Sequence, residues 1–180
     1  MMSRTVAAIA ALAFLSSGAH AADAIALPVS SGNATVPLYD SSAFDWNGFY
    51  AGIYGAGQLS PVGGTQYGLG INLGVNAQFD YVLVGAEVAV HGLAGGPVAT
   101  AYGQLVGRAG VLVTEDTLLY AAAGYGTSLA GPAESDVLLG GGVELAVSED
   151  FSLRAQYLHG FPITGGNPKD EVTLGAQFHF

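Results

Sequence analysis

The segment YGLGINLGVNAQF, residues 67–79, alternates between two kinds of residue. Its odd positions carry tyrosine, leucine, isoleucine, valine, alanine and phenylalanine, whereas its even positions carry glycine, asparagine and glutamine. A period of two predicts a β-strand with one apolar face and one polar or empty face. Five further segments repeat the pattern: 82–91, 104–113, 137–147, 151–157 and 172–180. With two less regular segments, 47–57 and 117–127, the sequence predicts eight strands.

The lengths of these strands and their connections predict a membrane barrel. Strands of soluble proteins usually have ~5 to 6 residues, whereas a tilted membrane strand needs ~9 to 11. Short polar turns at 80–81, 114–116 and 148–150 alternate with longer links, and the longer links contain proline at positions 61, 97, 132 and 162. Short turns on one side and longer loops on the other are typical of outer-membrane barrels. We therefore expect an all-β fold, an eight-stranded antiparallel transmembrane barrel with up-and-down meander topology.

The composition favours the same fold. The chain has 180 residues, of which 51% are hydrophobic and 10% charged, and its mean hydropathy is +0.44. Ordinary soluble domains carry about 25% charged residues. The alternative is a soluble sandwich or lipocalin-like barrel with an aromatic core. Such a barrel would turn its apolar face inward, whereas here the opposite face of the strands carries glycine, asparagine, glutamine, glutamate and arginine.

The N-terminus predicts export. Arg4 precedes the short apolar run 6–15, and Ala19-His20-Ala21 places small residues at the −3 and −1 positions of a cleavage site. We assign residues 1–21 to a signal peptide, 22–45 to a flexible periplasmic tail and 46–180 to the barrel. The alternative for the first segment is a buried helix, but about ten apolar residues are too few to span a bilayer.

The charge balance and the chemistry-bearing residues exclude several functions. Cleavage leaves three basic residues against 14 acidic residues, which argues against a nucleic-acid partner. Cysteine is absent, and His91, His159 and His179 lie on different predicted strands, so we expect neither a metal site nor a cofactor. Ser152 and His159 fall on opposite strand faces, which argues against a hydrolytic pair. We expect a protein that is not an enzyme.

Aromatic residues lie at the strand ends beside the tight turns or the termini, namely Trp46, Phe79, Tyr81, Phe151 and Phe180. Membrane barrels carry aromatic girdles at both interfaces with water. These five residues therefore predict one aromatic ring on the periplasmic side.

Four charged residues face the lumen by the same alternation: Glu87, Arg108, Glu144 and Arg154. Each lies about five to seven residues from its nearest tight turn, which at ~3.3 Å per residue places all four at one level. Glu144 and Arg154 flank a turn symmetrically and should be cross-strand neighbours. Because an unpaired buried charge is costly, we expect a mutually paired layer. Inward glycines near it either leave water-filled pockets or permit tight curvature of the barrel wall.

Three stretches resemble the OmpA-like, porin-family small outer-membrane barrels: WNGFYAGIYGAG (46–57), GGGVELAVSEDFSLRAQYLHGF (140–161) and VTLGAQFHF (172–180). The order and spacing of the three stretches carry this resemblance, which covers residues 46–180. The resemblance implies that Phe178 and Phe180 form the signature read by the barrel insertion machinery. It also implies that the four lumen charges match a cluster that acts as a gate, with Arg108 in place of lysine and Gln156 in place of an acid.

These observations predict a monomer in the outer membrane of a Gram-negative bacterium, with lipid as its surroundings. The first hypothesis is a structural role in the envelope, with the lumen closed by the Glu/Arg layer. The alternatives are a small porin-like channel gated by that layer and surface binding by the loops at 58–65, 92–97, 128–134 and 161–169.

Overall fold

The computed structural model describes residues 44–96 and 99–180, and these form one closed barrel. Its eight strands are β1 (Gly48–Ser60), β2 (Gly64–Phe79), β3 (Val82–Ala94), β4 (Thr100–Thr114), β5 (Thr117–Ala130), β6 (Ser135–Ala146), β7 (Phe151–Thr164) and β8 (Lys169–His179). Each strand pairs antiparallel with the next, and β1 pairs with β8. The predicted eight-stranded meander is confirmed. The predicted signal peptide and nearly all of the predicted tail lie outside the described residues.

The period-two pattern sets the two faces of the wall. Outward apolar side chains are strongly exposed, for example Leu69 at 79% and Ile53 at 68%, whereas the inward Leu83 and Leu118 are completely buried. A soluble protein does not leave a continuous apolar face of this extent on its surface. The arrangement is that of a barrel whose solvent is lipid, because every strand edge is paired and the apolar side chains point outward. The described residues contain no helix long and apolar enough to cross a membrane.

The two ends of the barrel differ in their connections. At one end, residues 80–81, 115–116 and 147–150 make the tight turns, and Asp80 there has a positive φ of 54°. Aspartate tolerates this left-handed conformation, which two-residue hairpin turns require. At the other end, the strands extend further than predicted, and the described residues outside them are 61–63, 95–96, 99, 131–134 and 165–168. The alternation continues into those segments, so the surface available for loop-mediated binding is smaller than the sequence indicated.

Candidate functional site

The four predicted lumen charges meet in the middle of the barrel, and each is at most 7% exposed. Glu144 pairs directly with Arg154 across β6 and β7. Its Oε2 lies 2.7 Å from Arg108 Nη1 and 3.2 Å from Arg154 Nε, while Arg154 Nη1 lies 2.5 Å from Glu87 Oε2. The result is one continuous chain of ion pairs, Arg108–Glu144–Arg154–Glu87, which we call the central charge layer.

Neutral side chains add further hydrogen bonds to the central charge layer. Tyr50 Oη and Asn72 Nδ2 donate to Glu87 Oε2 at 2.7 and 2.8 Å. Ser152 Oγ donates to Glu144 Oε1 at 2.6 Å, and Arg108 donates from Nε and Nη2 to Asn76 Oδ1. These contacts matter because a buried ion pair is stable only when its remaining donors and acceptors are also satisfied.

Tyr50 also contacts both guanidinium groups, a position that the sequence pattern did not predict. The Cζ atoms of Arg108 and Arg154 lie 4.6 and 5.2 Å from the centre of its ring. Cations within ~6 Å of an aromatic face are attracted to it. Tyr50 is completely buried and therefore belongs to the central charge layer as much as the charged residues do. The even-numbered residues of β1 point inward, and Tyr50 is one of them. The sequence of segment 47–57 does not alternate clearly between apolar and polar residues, so it did not predict this facing.

Inward glycines provide the space for such tyrosine rings. Tyr50 pairs across β1 and β2 with Gly74, and Tyr54 pairs with Gly70. A side chain at either glycine would overlap the ring opposite. Tyr120 likewise pairs with Gly142, whereas Tyr102 pairs with Ser128 and covers Gly126 diagonally. Cross-strand aromatic cover of glycine is a known device for filling curved sheets. At these positions the glycines leave no water-filled pockets, since the rings occupy the space.

A second charged cluster lies nearer the loop end. Lys169 Nζ lies 2.6 Å from Glu134 Oε2 and 3.1 Å from Asp136 Oδ2, and it sits 4.6 Å from the ring centre of Tyr102. Tyr102 Oη also donates to Asp136. The sequence pattern predicted Lys169 at the end of a loop. The alternation of β8 extends back from residue 179 to residue 169 and, if followed, would have placed Lys169 in the lumen.

Between these two clusters lies a buried carboxylate that contacts neutral side chains. Gln104 Nε2 donates to both oxygens of Glu171 at 3.1 Å. His91 Nε2 lies 3.4 Å from Glu171 Oε2 without hydrogen-bond geometry, and its Nδ1 lies 3.1 Å from Tyr54 Oη. Buried polar side chains therefore continue from the central charge layer towards the loop end, alongside an apolar cluster of Tyr54, Ala56, Ala89 and Leu93.

Four members of a larger buried apolar cluster occupy the tight-turn end of the lumen, namely Phe44, Trp46, Leu83 and Leu118, and we call these four the apolar plug. Phe44 packs edge-on against Trp46 at 4.6 Å between ring centres, and Trp46 Nε1 donates to the carbonyl of Glu115 at 3.1 Å. Trp46 is completely buried. Its predicted place in the interfacial ring is therefore wrong, because residues 44–47 precede β1 and place the indole inside the barrel mouth.

The other four predicted interface aromatics point outward at the tight-turn end. Their exposures are 64% for Phe79, 67% for Tyr81, 48% for Phe151 and 68% for Phe180. The residues proposed as an insertion signature are in mutual contact: the ring of Phe178 lies 6.0 Å from that of Phe180 and 5.1 Å from that of Phe151. The backbone of Phe180 exchanges two hydrogen bonds with Phe49 and so extends the closure of the barrel between β8 and β1.

Cavities open into the lumen among the described residues. One of ~10 Å³ lies beside Glu87 and Arg154, and one of ~130 Å³ opens at the loop end. A water molecule needs ~10 to 15 Å³ on this measure, so the first cavity holds about one.

The polar groups of the lumen do not form a recognisable catalytic arrangement. Ser152 Oγ lies 3.0 Å from His179 Nε2, and Glu144 Oε1 lies 3.3 Å from the same nitrogen. A serine triad instead places its acid on the other ring nitrogen. His159 lies on the outer face, away from the buried Ser152. Among the described residues, no group of three or more histidine, aspartate or glutamate side chains is placed to hold a metal ion.

Comparisons with known proteins identify the fold. No family model matches the sequence, and no curated protein does. Ail, the attachment invasion locus protein of Yersinia pestis, shares 16% identity at a TM-score of 0.57, and the match covers 74% of this chain and 99% of Ail. Another Ail structure is a complex with the heparin analogue sucrose octasulfate.

Two more structures give the same result. Neisserial surface protein A matches at 17% identity and a TM-score of 0.52, over 73% of this chain and 97% of its own. The N-terminal barrel domain of Pseudomonas aeruginosa OprF matches at 16% identity and a TM-score of 0.50, over 72% and 97%. At these identities the likeness establishes the fold alone, and the fold is that of the small eight-stranded outer-membrane barrels.

Proposed function

We propose that this chain is an integral protein of the outer membrane of a Gram-negative bacterium, with a structural role in the envelope and a lumen that does not conduct. The observation that carries the proposal is the filling of the lumen. The central charge layer is internally paired, and the apolar plug lies between it and the tight-turn end. An eight-stranded barrel has an interior just wide enough for side chains to fill, so two such barriers in series leave no path for solutes.

The proposal extends to the surroundings of the barrel. Its outward apolar band fits lipid, and the OmpA-like resemblance of residues 46–180 fits the shared fold. We propose that the barrel is a monomer and that Phe178 and Phe180 present the C-terminal strand to the insertion machinery. In the folded barrel both rings are exposed and contact each other at the end of β8, the strand that closes the barrel against β1. We also propose that the protein is not an enzyme and does not bind nucleic acid.

The experiment on this proposal combines two readouts on protein refolded into vesicles. Unheated protein should migrate faster in gel electrophoresis than heated protein, as expected for a folded barrel that resists detergent. The vesicles should also fail to swell when an impermeant sugar outside is replaced by a small permeant one. Equal mobility together with solubility in the absence of detergent would contradict the membrane barrel. Swelling would contradict the closed lumen.

A gated channel is the second candidate, and one observation favours it. Arg154 Nη2 is buried without a hydrogen-bond partner and lies beside the ~10 Å³ cavity, so the guanidinium has space to change partners. Arg154→Ala separates the two candidates. A gate predicts that this variant conducts, whereas the closed lumen predicts that it stays silent because the apolar plug remains.

Surface binding of a polysulfated partner, such as the heparin analogue in the Ail complex, is not supported for this chain. After residue 21 its lysine and arginine residues are Arg108, Arg154 and Lys169, and all three are buried in the lumen. Affinity for polyanions depends mainly on accessible positive charge. The exposed loops therefore lack the groups that such a ligand needs.

A further inference from the structure

The cavity at the loop end of the lumen has the features of a binding site, and we call it the vestibule. Its volume is ~130 Å³, and residues from several loops and from the ends of the inward strand faces line it. The polar side chains used below are Gln58, Ser60, Asn167 and Lys169 with the ring of Tyr102, and each is at most 8% exposed. This volume has room for several water molecules or for part of a small ligand.

One buried polar atom in the vestibule has no protein partner. Gln58 Oε1 is fully shielded and makes no hydrogen bond. Leaving a buried amide oxygen unpaired is unfavourable, so such an atom in a cavity wall indicates a place for a donor from a ligand. Ser60 Oγ and Asn167 Oδ1 already accept from the backbone of Gly63 and Val62, at 3.0 and 3.4 Å. The serine hydroxyl and the asparagine amide can still donate to a ligand.

The electrostatics of the vestibule exclude strongly charged ligands. Among the described residues that line it, Lys169 is the only cation, and Glu134 and Asp136 already hold it. An anion would have to compete with two carboxylates for this ammonium group. A cation would have to take a carboxylate away from Lys169. The ligand that fits is neutral.

We propose that the vestibule binds a neutral, hydroxyl-rich ligand, the edge of a sugar ring that presents adjacent hydroxyl groups. A sugar hydroxyl both donates and accepts, which suits Gln58 Oε1 as acceptor and the Ser60 and Asn167 groups as donors. The side chains of Leu93 and Pro132 offer apolar surface to the C–H face of the sugar. Because the contact area is small, the Kd should lie in the millimolar range.

The experiment is an NMR titration of the full, isotope-labelled barrel in detergent micelles with methyl α-glucoside, methyl α-galactoside and methyl α-mannoside. At least one should give saturable shifts at the side-chain amides of Gln58 and Asn167. Glucose 6-phosphate and glucosamine should bind more weakly. The proposal is overturned if no glycoside saturates up to about 100 mM or if a charged sugar binds most tightly.

Two variants assign the contact. Gln58→Leu should weaken binding by about 5-fold or more, since it removes the unpaired acceptor. Gln78→Leu is its matched control, because Gln78 lies beside a tight turn at the opposite end, and it should leave the Kd unchanged. If Gln58→Leu fails to refold, Asn167→Asp tests the same contact from the loop, where it should weaken binding by removing the amide donor. Unchanged affinity in the folded variant overturns the assignment.

A separate arm identifies the source of the sugar. The barrel is placed in nanodiscs that contain lipopolysaccharide, with no free glycoside present. Shifts at Gln58 and Asn167 in this arm, with no further change on adding glycoside, would identify the membrane's own glycolipid as the source. Shifts only with free glycoside would identify a soluble ligand. Absence of shifts in both arms overturns the proposal.

Discussion

Replacement of Arg154 by methionine tests the central charge layer because this guanidinium joins its two carboxylates. The variant keeps a long side chain of similar reach but removes the contacts to Glu87 at 2.5 Å and to Glu144 at 3.2 Å. Glu144 keeps Arg108 as a partner, whereas Glu87 loses its ion pair and retains only neutral donors from Tyr50 and Asn72.

The expected loss follows from what remains around Glu87. Breaking a buried ion pair by removing one partner costs about 3 to 5 kcal/mol, and the two neutral donors place this case near 3 kcal/mol. Gln156→Met is the matched control, since Gln156 also points inward on β7 and accepts one neutral hydrogen bond from Tyr120 at 2.8 Å. That change should cost about 1 kcal/mol. Adding Glu87→Gln to Arg154→Met should restore about 1 to 2 kcal/mol, because the uncompensated carboxylate is then gone.

The measurement is the free energy of unfolding in urea for protein refolded into lipid vesicles. The chain has a single tryptophan, Trp46, whose buried indole reports unfolding by fluorescence. Electrophoretic mobility without heating gives an independent folded fraction. The reasoning is refuted if Arg154→Met loses no more stability than Gln156→Met, or if Glu87→Gln deepens the loss.

Three further predictions test other parts of the structure. Gly74→Ala should lower the free energy of unfolding by about 1 to 3 kcal/mol, because the added methyl group overlaps the ring of Tyr50. Gly55→Ala, where an added methyl group meets no atom nearer than 4.0 Å, should change that free energy by less than about 0.5 kcal/mol. Equal losses of stability in urea would contradict the packing of Tyr50 over Gly74. Aqueous iodide should quench Trp46 fluorescence only weakly in the folded barrel, because the indole is buried. Strong quenching would instead support the interfacial position that the sequence predicted. Deletion of Phe180 should slow assembly catalysed by the insertion machinery, and an unchanged rate in proteoliposomes containing that machinery would remove it from the signature.

Alternation alone predicted most of the interior. In β3, β4, β6 and β7 the outward residues are apolar and many of the inward ones polar, so the period of two is enough to place Glu87, Arg108, Glu144 and Arg154 inside the barrel. The tight turn at residues 148–150 then fixed the pairing of Glu144 with Arg154. The period of two determines which side chains of a strand point inward, and a short hairpin turn determines the register with the next strand.

The features that could not be predicted lie where the local pattern is weak. Proline and glycine at 162–168 favoured a last strand that begins at Val172, so Lys169 and Glu171 were left outside the lumen. Trp46 has the position of a girdle residue, and only the path of the chain before β1 turns it inward. The seating of Tyr50 over Gly74 needs the register of two strands, which no single segment contains.

Electrical recording across planar lipid bilayers provides the decisive observation on the sealed lumen. Purified barrel would be inserted at low protein density, with its folded fraction checked by mobility beforehand. Because the central charge layer and the apolar plug block the lumen, we predict no measurable conductance for the unmodified protein. Steady, reproducible conductance steps from the folded protein would contradict it.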